Sequence, residues 1–553
     1  MDLKSELIKE ISNQINESII LEVPPNPILG DYALPCFKLS KKPHEIQKLL
    51  KLPKFIEKTE IKGPYLNFFI NKTFLAELTI NQILKEKAKY GSKLLKERVV
   101  IEFPSPNTNK PLHIGHARNI ILGQAVCNLL KFMGNEVIVV NLNNDRGVHI
   151  CKSMLAYALF GNNDSPEKSN KKSDHFVGDY YVKFAKAAKE NPKLEEEAQE
   201  YLRKWEAGDK KILELWKKMN NWAFEGFRET YKKFDLKIDK EYFESNLYKN
   251  GKEIILEALE KHQVQKKPEG AIFIDLSKEG LGEKILLRGD GTSIYITQDI
   301  YLAILKYKEF KFDKSIFVSA VEQKHHFKVL FTILKKLGNL WADKLYHLSY
   351  GMVNLESGRM KSREGNVVDS DDLIEELNKM AIEEIDKRYN EITKKEKEKR
   401  SNSIAMAALR YYYLKIDHEK DITFKPEESI RFEGDTGPYI QYTHARASSI
   451  IKKSEKTLKI KNYQLGEKES KLIKVLSEFP QAVENAHSQL SPHIITNYSF
   501  HLAQTFNEFY HSCQVLNESN KDVRLSRLAL VKAAKHVLKN SLNLLGIEAP
   551  EQM

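Results

Sequence analysis

The chain has 553 residues, 41% of them hydrophobic and 10% aromatic, enough for several cores; length alone predicts three or four domains. No apolar run approaches the roughly eighteen residues of a membrane span, and the opening Met1-Asp-Leu-Lys-Ser-Glu6 lacks the apolar region of a signal peptide. Four scattered cysteines without C-x-x-C spacing argue against a zinc module and fit a reducing cytoplasm, while a net charge of +12 suits a polyanion such as RNA.

Residues 1–95 read as a mixed α+β unit. Leu3, Ile8, Ile11 and Ile15 give an amphipathic start, Pro24–Ala33 is a turn-rich loop, and Glu60–Ile70 is a half-buried strand. On that strand Tyr65, Asn67 and Phe69 share one face. Arg98–Phe103 is a short buried strand with Glu102 near its end, stopped by Pro104 and Pro106. Ile121, Leu122, Ala125, Val126, Leu129, Leu130 and Met133 then recur at helical spacing, with Gly134 at the C-cap, and Val137–Val140 is the next strand. Strand, loop, helix and strand make a βαβ unit, and such sheets bind ligands beyond their carboxyl strand ends.

The loop of that unit is Ser105-Pro-Asn-Thr-Asn-Lys-Pro-Leu-His-Ile-Gly-His-Ala-Arg-Asn119. Two histidines at a helix start can simply satisfy its N-terminus, and no second ligand pair stands at zinc spacing. The functional alternative is that Gly115 admits a flat base while His113, His116 and the helix N-terminus hold phosphate oxygens. The full string resembles the HIGH signature of class I aminoacyl-tRNA synthetases, and its Ser-Pro-Asn prefix resembles the arginyl-tRNA synthetase version.

That resemblance carries expectations for neighbouring residues. ATP would meet His113, Gly115 and His116, and the amino acid would be recognised at Glu102 and Asn107. Gly30-Asp-Tyr-Ala33 and Gly63-Pro-Tyr-Leu-Asn-Phe68 resemble the N-terminal appended domain of arginyl-tRNA synthetases, which implies D-loop contact by Tyr65 and Asn67. Asn144-Asp-Arg-Gly147, after the second strand, is expected to line the pocket without a specific role.

From about residue 160 charged helical sequence runs to about 235, and the stretch of about 160–290 reads as an insertion between two sheet halves. Glu244, in Tyr242–Tyr248, is similar to a family segment bordering the arginine pocket. Ala271–Asp275 and Lys284–Arg288 read as antiparallel strands, and Asp290-Gly291 as a tight turn leading to a strand-to-helix junction at Ile294–Tyr301. Across it Tyr295 and Asp299 are four apart. Asp299 alone serves equally as a helix cap, but a carboxylate meets a guanidinium bidentately while an aromatic ring aligns it. The Tyr-x-x-x-Asp spacing matches the family's arginine-binding pair. Ser315–Ser319, the helix from His325 to Leu334 and Leu345–Tyr350 form a second βαβ half, and by resemblance Gln323 also faces the amino acid.

Gly358–Val368 suits a loop closing over triphosphate. It resembles the second class I signature, Lys-Met-Ser-Lys-Ser, but reads Arg359-Met-Lys-Ser-Arg363, without the fourth-position lysine. Met360, Lys361 and Ser362 are expected at ATP, and Lys110, assisted by Lys361 and Arg363, is expected to supply the missing catalytic charge. Farther on, Tyr439, Tyr442 and Arg446, then Phe506 and Tyr510, fall at helical spacing. Such a stripe is also what a bundle core looks like. The resemblance makes it the anticodon surface, with the terminal Met553 beside it.

The expected fold is α/β: a doubly wound, Rossmann-type parallel-sheet catalytic domain over 96–400, between a mixed domain (1–95) and an all-α bundle (401–553). The expected reaction joins L-arginine to tRNA(Arg) through arginyl-adenylate, using ATP with Mg2+ and no zinc, in a cytoplasmic monomer. Another class I synthetase, or a non-catalytic RNA-binding relative, stands as the alternative.

Overall fold

The run Glu60–Ile70 is a hairpin rather than one strand. In the computed structural model, which describes residues 3–292, 294–355, 368–388, 392–454 and 465–553, β1 (Tyr32–Pro35), β2 (Ile56–Lys62) and β3 (Tyr65–Ile70) form an antiparallel sheet in the order β1-β3-β2. Gly63, at a φ of +56°, and Pro64 turn the chain between β2 and β3. Leu66, Phe68 and Ile70 pack with Leu3, Leu7, Ile11 and Ile15 of the first helix, so the other face of β3 carries Tyr65, Asn67 and Phe69.

The next strands are β4 (Arg98–Glu102), β5 (Glu136–Asn143), β6 (Lys240–Phe243), β7 (Gln265–Lys266), β8 (Ile272–Leu276), β9 (Gly282–Leu287), β10 (Lys314–Ala320) and β11 (Leu345–Tyr350). Five of them form a parallel sheet in the order β11-β10-β4-β5-β6. Along β4, Val99 and Ile101 enter one core and Val100 the other, which is why these strands are almost continuously apolar. From β4 the chain winds outward through β5 and β6, then returns to β10 on the other side. The β4/β10 boundary is therefore the switch point where such sheets open a ligand crevice.

β6 lies within the stretch read as an insertion, yet it is the edge strand of the sheet. Its four residues, Lys-Glu-Tyr-Phe, lack the apolar run of a buried strand because its lysine and glutamate are exposed. Three helices precede it (Ser173–Glu190, Lys193–Glu206, Lys210–Lys233) around an aromatic core that includes Phe176, Tyr180, Trp205 and Trp222. β7, β8 and β9 make a separate antiparallel sheet. The helix Tyr295–Phe310 begins directly after Ile294, so Tyr295 and Asp299 stand one turn apart on a helix rather than across a strand end.

Beyond Ser370 the described residues are mainly helical, with one short strand among them, β13 (Ile422–Phe424), paired to β12 (Val353–Leu355). The helices Lys394–Leu414, Gly437–Lys452, Glu467–Ser488, His493–Ser512 and Lys521–Leu544 share one apolar core with the sheet, in which Phe103 and Ile120 belong with Phe479 and Val537. The N-terminal unit is tied to the bundle by the Asp31–Lys474 ion pair (2.9 Å) and by Tyr90, whose hydroxyl donates to the Leu476 carbonyl (3.1 Å). Among the described residues, no helix is long and apolar enough to cross a membrane.

Candidate active site

The loop after β4 is stitched to the loop after β5. Ser105 N–H donates to Asn141 Oδ1 (3.0 Å), Asn144 N–H to the Pro106 carbonyl (3.0 Å) and Thr108 N–H to the Asn144 carbonyl (3.2 Å). Asn144 therefore has a positioning role that its sequence context did not reveal. The exposed Asn107 is presented between these bonds.

His113 caps the helix Ile114–Phe132 and makes a reciprocal pair with His116. Gly115 N–H donates to His113 Nδ1 and His113 N–H donates to His116 Nδ1, both at 3.1 Å. A Cβ at Gly115 would meet His113 Cε1 at 2.9 Å, so the glycine makes room for the histidine ring itself. Burial first, then the Lys110 charge, holds His113 down to about 4; His116 is also pushed well down, by burial, then His113 and Lys110. Both rings are thus neutral near pH 7. Because each Nδ1 accepts a backbone N–H, each Nε2 carries the proton and can donate.

Two further residues of the signature are structural. The buried Arg118 donates through Nη1 to the carbonyls of Gly351 and Met352, and through Nη2 to those of His418 and Lys420. Asn119 Nδ2 donates to the Val318 carbonyl at 2.7 Å. The HIGH-like helix is thereby clamped to β10, to the chain leaving β11 and to the start of the C-terminal region.

Met360, Lys361, Ser362 and Arg363 lie outside the described residues. The chain just after them is pinned to the histidine loop: Ile114 N–H donates to the Val368 carbonyl (3.1 Å), Ser370 N–H to the Leu112 carbonyl (2.8 Å) and Ser370 Oγ to the His113 carbonyl (2.8 Å). Asp371 anchors the same segment to the inserted helices through Lys172 (2.8 Å) and Lys233 (2.6 Å).

Across the crevice, Glu102 at the end of β4 is buried and paired with the fully buried Lys306, whose Nζ lies 2.7 Å from Glu102 Oε2 and 3.8 Å from the Phe317 ring centroid. Glu102 thus already has an internal cation, which sequence reasoning missed: Lys306 sits in an apolar helical pattern with no motif around it. Asp299 lies near enough to act on Lys306 electrostatically. Its Oδ2 is 2.8 Å from His326 Nε2, and this contact raises the His326 pKa. Tyr295 is 68% exposed at the start of its helix, and Gln323 is exposed just past β10.

Glu244 is buried beside these groups, and burial pushes its carboxyl up to about 7 against the pull of Arg146. With its amide oriented to satisfy both neighbours, Gln298 donates to Glu244 Oε1 (2.9 Å) and accepts from Arg146 Nη1 (3.1 Å). Arg146 lies 4.0 Å from the Tyr248 ring centroid and is paired with Glu206 of the inserted helices. The Asn144–Gly147 motif was expected to line the pocket without a specific role; its arginine is the residue that contributes to this wall.

The chain matches three family models in succession: the arginyl-tRNA synthetase N-terminal domain over residues 2–70, the catalytic domain of class I tRNA synthetases (R) over 79–425, and the DALR anticodon-binding domain over 440–553. It is 46% identical to the arginine–tRNA ligase of Treponema denticola, covering 97% of this chain and 95% of that one. The chain belongs to the arginyl-tRNA synthetase family. The Borrelia hermsii arginine–tRNA ligase is 43% identical over 100% of this chain and 98% of that one. The Thermus thermophilus arginyl-tRNA synthetase superposes with a TM-score of 0.85 at 28% identity, covering 100% of both chains.

On the C-terminal bundle, aromatic rings gather around a single arginine. Arg446 lies over Tyr442 (4.9 Å) and Tyr510 (5.4 Å), and Asn507 Nδ2 donates to the Tyr439 hydroxyl (2.9 Å). Tyr442 and Tyr510 are partly exposed. Phe506 is not: it has 0% exposure and stacks behind Tyr510, so its helical spacing marked the core and it is no base-stacking surface. Met553 packs beside Phe432 against the cluster of Ala381, Ile385, Ile404, Ala408 and Ile430. In the N-terminal unit, Tyr65 is half-buried and edge-on to Phe37 (5.7 Å). Asn67 shares that face but is buried, because the Gly30 loop passes over it; a Cβ at Gly30 would lie 3.5 Å from Asn67 Cβ. Asn67 is therefore no exposed base reader in this conformation.

Proposed function

We propose that the crevice at the carboxyl ends of β4, β5 and β10 activates L-arginine with ATP and passes it to the terminal ribose of tRNA(Arg). The supporting observation is a line of electrostatic and hydrogen-bonded links. Asp299 acts on Lys306, Lys306 holds Glu102, and Glu102 ends the strand whose following loop carries His113 and His116.

In this reading Asp299 takes the guanidinium, with Tyr295, Gln323 and Glu244 around it, while Glu102 and Asn107 orient the α-ammonium. The arginine carboxylate then attacks the α-phosphate and pyrophosphate leaves. His113 and His116 donate from Nε2–H to phosphate oxygens, Gly115 gives the base access, and the helix N-terminus adds its dipole. Lys110 supplies positive charge to the departing pyrophosphate, with Lys361, Arg363, Met360 and Ser362 closing over ATP. Magnesium carried on ATP would offset phosphate charge. No protein nucleophile is needed, because positioning and charge stabilisation lower the barrier. The tRNA hydroxyl then displaces AMP from the adenylate.

Tyr439, Tyr442, Arg446 and Tyr510, with Met553 nearby, form the anticodon surface, and Tyr65 contributes to D-loop contact. The functional units are residues 1–95, 96–400 and 401–553, acting as a cytoplasmic monomer. Aminoacylation of tRNA(Arg) with arginine, lysine and citrulline tests the assignment. Wild type should charge arginine, and Asp299→Asn should lose at least about thirtyfold in kcat/KM, the lower end for a broken charge pair. A loss under about threefold would remove Asp299 from the pocket.

A further inference from the structure

One histidine of the pocket is left without a role by the mechanism above. His326 sits in the first turn of the helix Lys324–Lys336, just after Gln323, with Nε2 at 2.8 Å from Asp299 Oδ2. That oxygen is one of the two a guanidinium needs for a bidentate pair. A helix N-terminus disfavours a cation, so the helix does not explain a charged ring there. Nor do its other neighbours: Lys324 and His325 share its helix, and the facing His347 of β11 is held down to about 4, mainly by burial. The Asp299 contact is what raises the His326 pKa.

We infer that His326 is a positioning residue whose imidazolium competes with the arginine guanidinium for the Asp299 carboxylate. This rests on the reading that Asp299 binds the guanidinium. When arginine binds, the Nε2–H to Oδ2 bond is replaced by guanidinium N–H donors, and the imidazolium gives its proton to solvent. The carboxylate thus meets one cation at a time, and a neutral analogue cannot drive the exchange. Arginine affinity then becomes pH-dependent: below the His326 pKa the ring is charged and competes, and above it the ring is neutral and yields.

Calorimetric titration of the full chain with L-arginine, between about pH 6 and 8 and in two buffers of different ionisation enthalpy, tests this. The dissociation constant should fall with rising pH across this interval, by at most about tenfold per unit, with a net release of protons on binding. His326→Gln, or His326→Asn if the first folds poorly, should make the profile shallower and abolish that ring's share of the release. Glu244, whose carboxyl burial pushes up to about 7, lies close to Asp299, so Glu244→Gln is the necessary comparison: it removes that carboxyl's own contribution to the slope, while the proton release that depends on His326 should persist. A wild type that releases no proton, a His326 variant with the wild-type slope, or a Glu244→Gln variant that flattens it would each overturn the inference. If Asp299→Asn binds arginine as wild type does, the pocket assignment itself falls, whatever His326 does.

Discussion

Lys306 Nζ lies 2.7 Å from Glu102 Oε2 with the lysine side chain wholly shielded from water. The mutual attraction of a buried pair offsets the desolvation of both charges, but removing one partner strands the other at about 3–5 kcal/mol. Lys306→Met should therefore lower the unfolding free energy by about that amount in urea titrations. Lys306→Met with Glu102→Gln should recover most of the loss. A single variant within about 1 kcal/mol of wild type would show that water reaches the pair.

Lys110 is partly buried beside His113 and His116, and its neighbourhood is fixed from behind: a Cβ at Gly178 would meet Pro111 Cδ at 2.7 Å. One fixed donor at developing phosphate charge is worth about 3 kcal/mol, roughly a hundredfold in rate. Lys110→Ala should slow arginine-dependent ATP–pyrophosphate exchange by about that factor, assayed with tRNA present. A change below about threefold, under about 1 kcal/mol, would exclude Lys110 from the chemistry.

His113 has a pKa of about 4 in the folded chain against about 6.5 when unfolded. A depressed value means its neutral native form contributes stability in full above about 6.5, and loses it as pH falls towards 4. Asparagine can still accept the Gly115 N–H as an N-cap, but carries no Nε2–H. His113→Asn should thus cost less than about 1 kcal/mol at pH 7 and show a smaller fall in urea midpoint between about pH 7 and 4.5. Adenylation should drop about a hundredfold. Full activity in this variant would refute phosphate donation by Nε2.

Tyr442 is partly exposed, whereas Phe506 lies buried behind Tyr510. Phe506→Ala should destabilise the bundle by about 3–5 kcal/mol, the cost of an emptied core position. Tyr442→Ala should change stability by less than about 1 kcal/mol and raise the KM for tRNA(Arg) at least about fivefold, in line with a lost stacking contact. The KM for arginine should stay unchanged. The reverse pattern in melting curves and charging assays would mean that the exposed and buried roles have been exchanged.

Local chemistry was enough to make the outline of this protein readable from residues in order. Apolar runs such as Val99–Ile101 mark strands, helical periodicity marks Ile114–Phe132, and the Ser105–Asn119 string carries its own glycine, prolines and imidazoles within fifteen residues. The same local reading failed where a residue's environment is made by distant chain. β6 hid among charges because only an edge position lets a four-residue strand keep them. Phe506 and Tyr442 share the same spacing, and burial alone tells them apart. Lys306, His326, Arg146 and Arg118 acquire meaning from partners 204, 27, about 152 and more than 230 residues away. Sequence by itself determined four of the five sheet strands, the signature and the family resemblance, because those rest on short-range pattern. Which charges are already paired inside the crevice was decided only by tertiary structure, because ion pairing and desolvation depend on distance through space rather than along the chain.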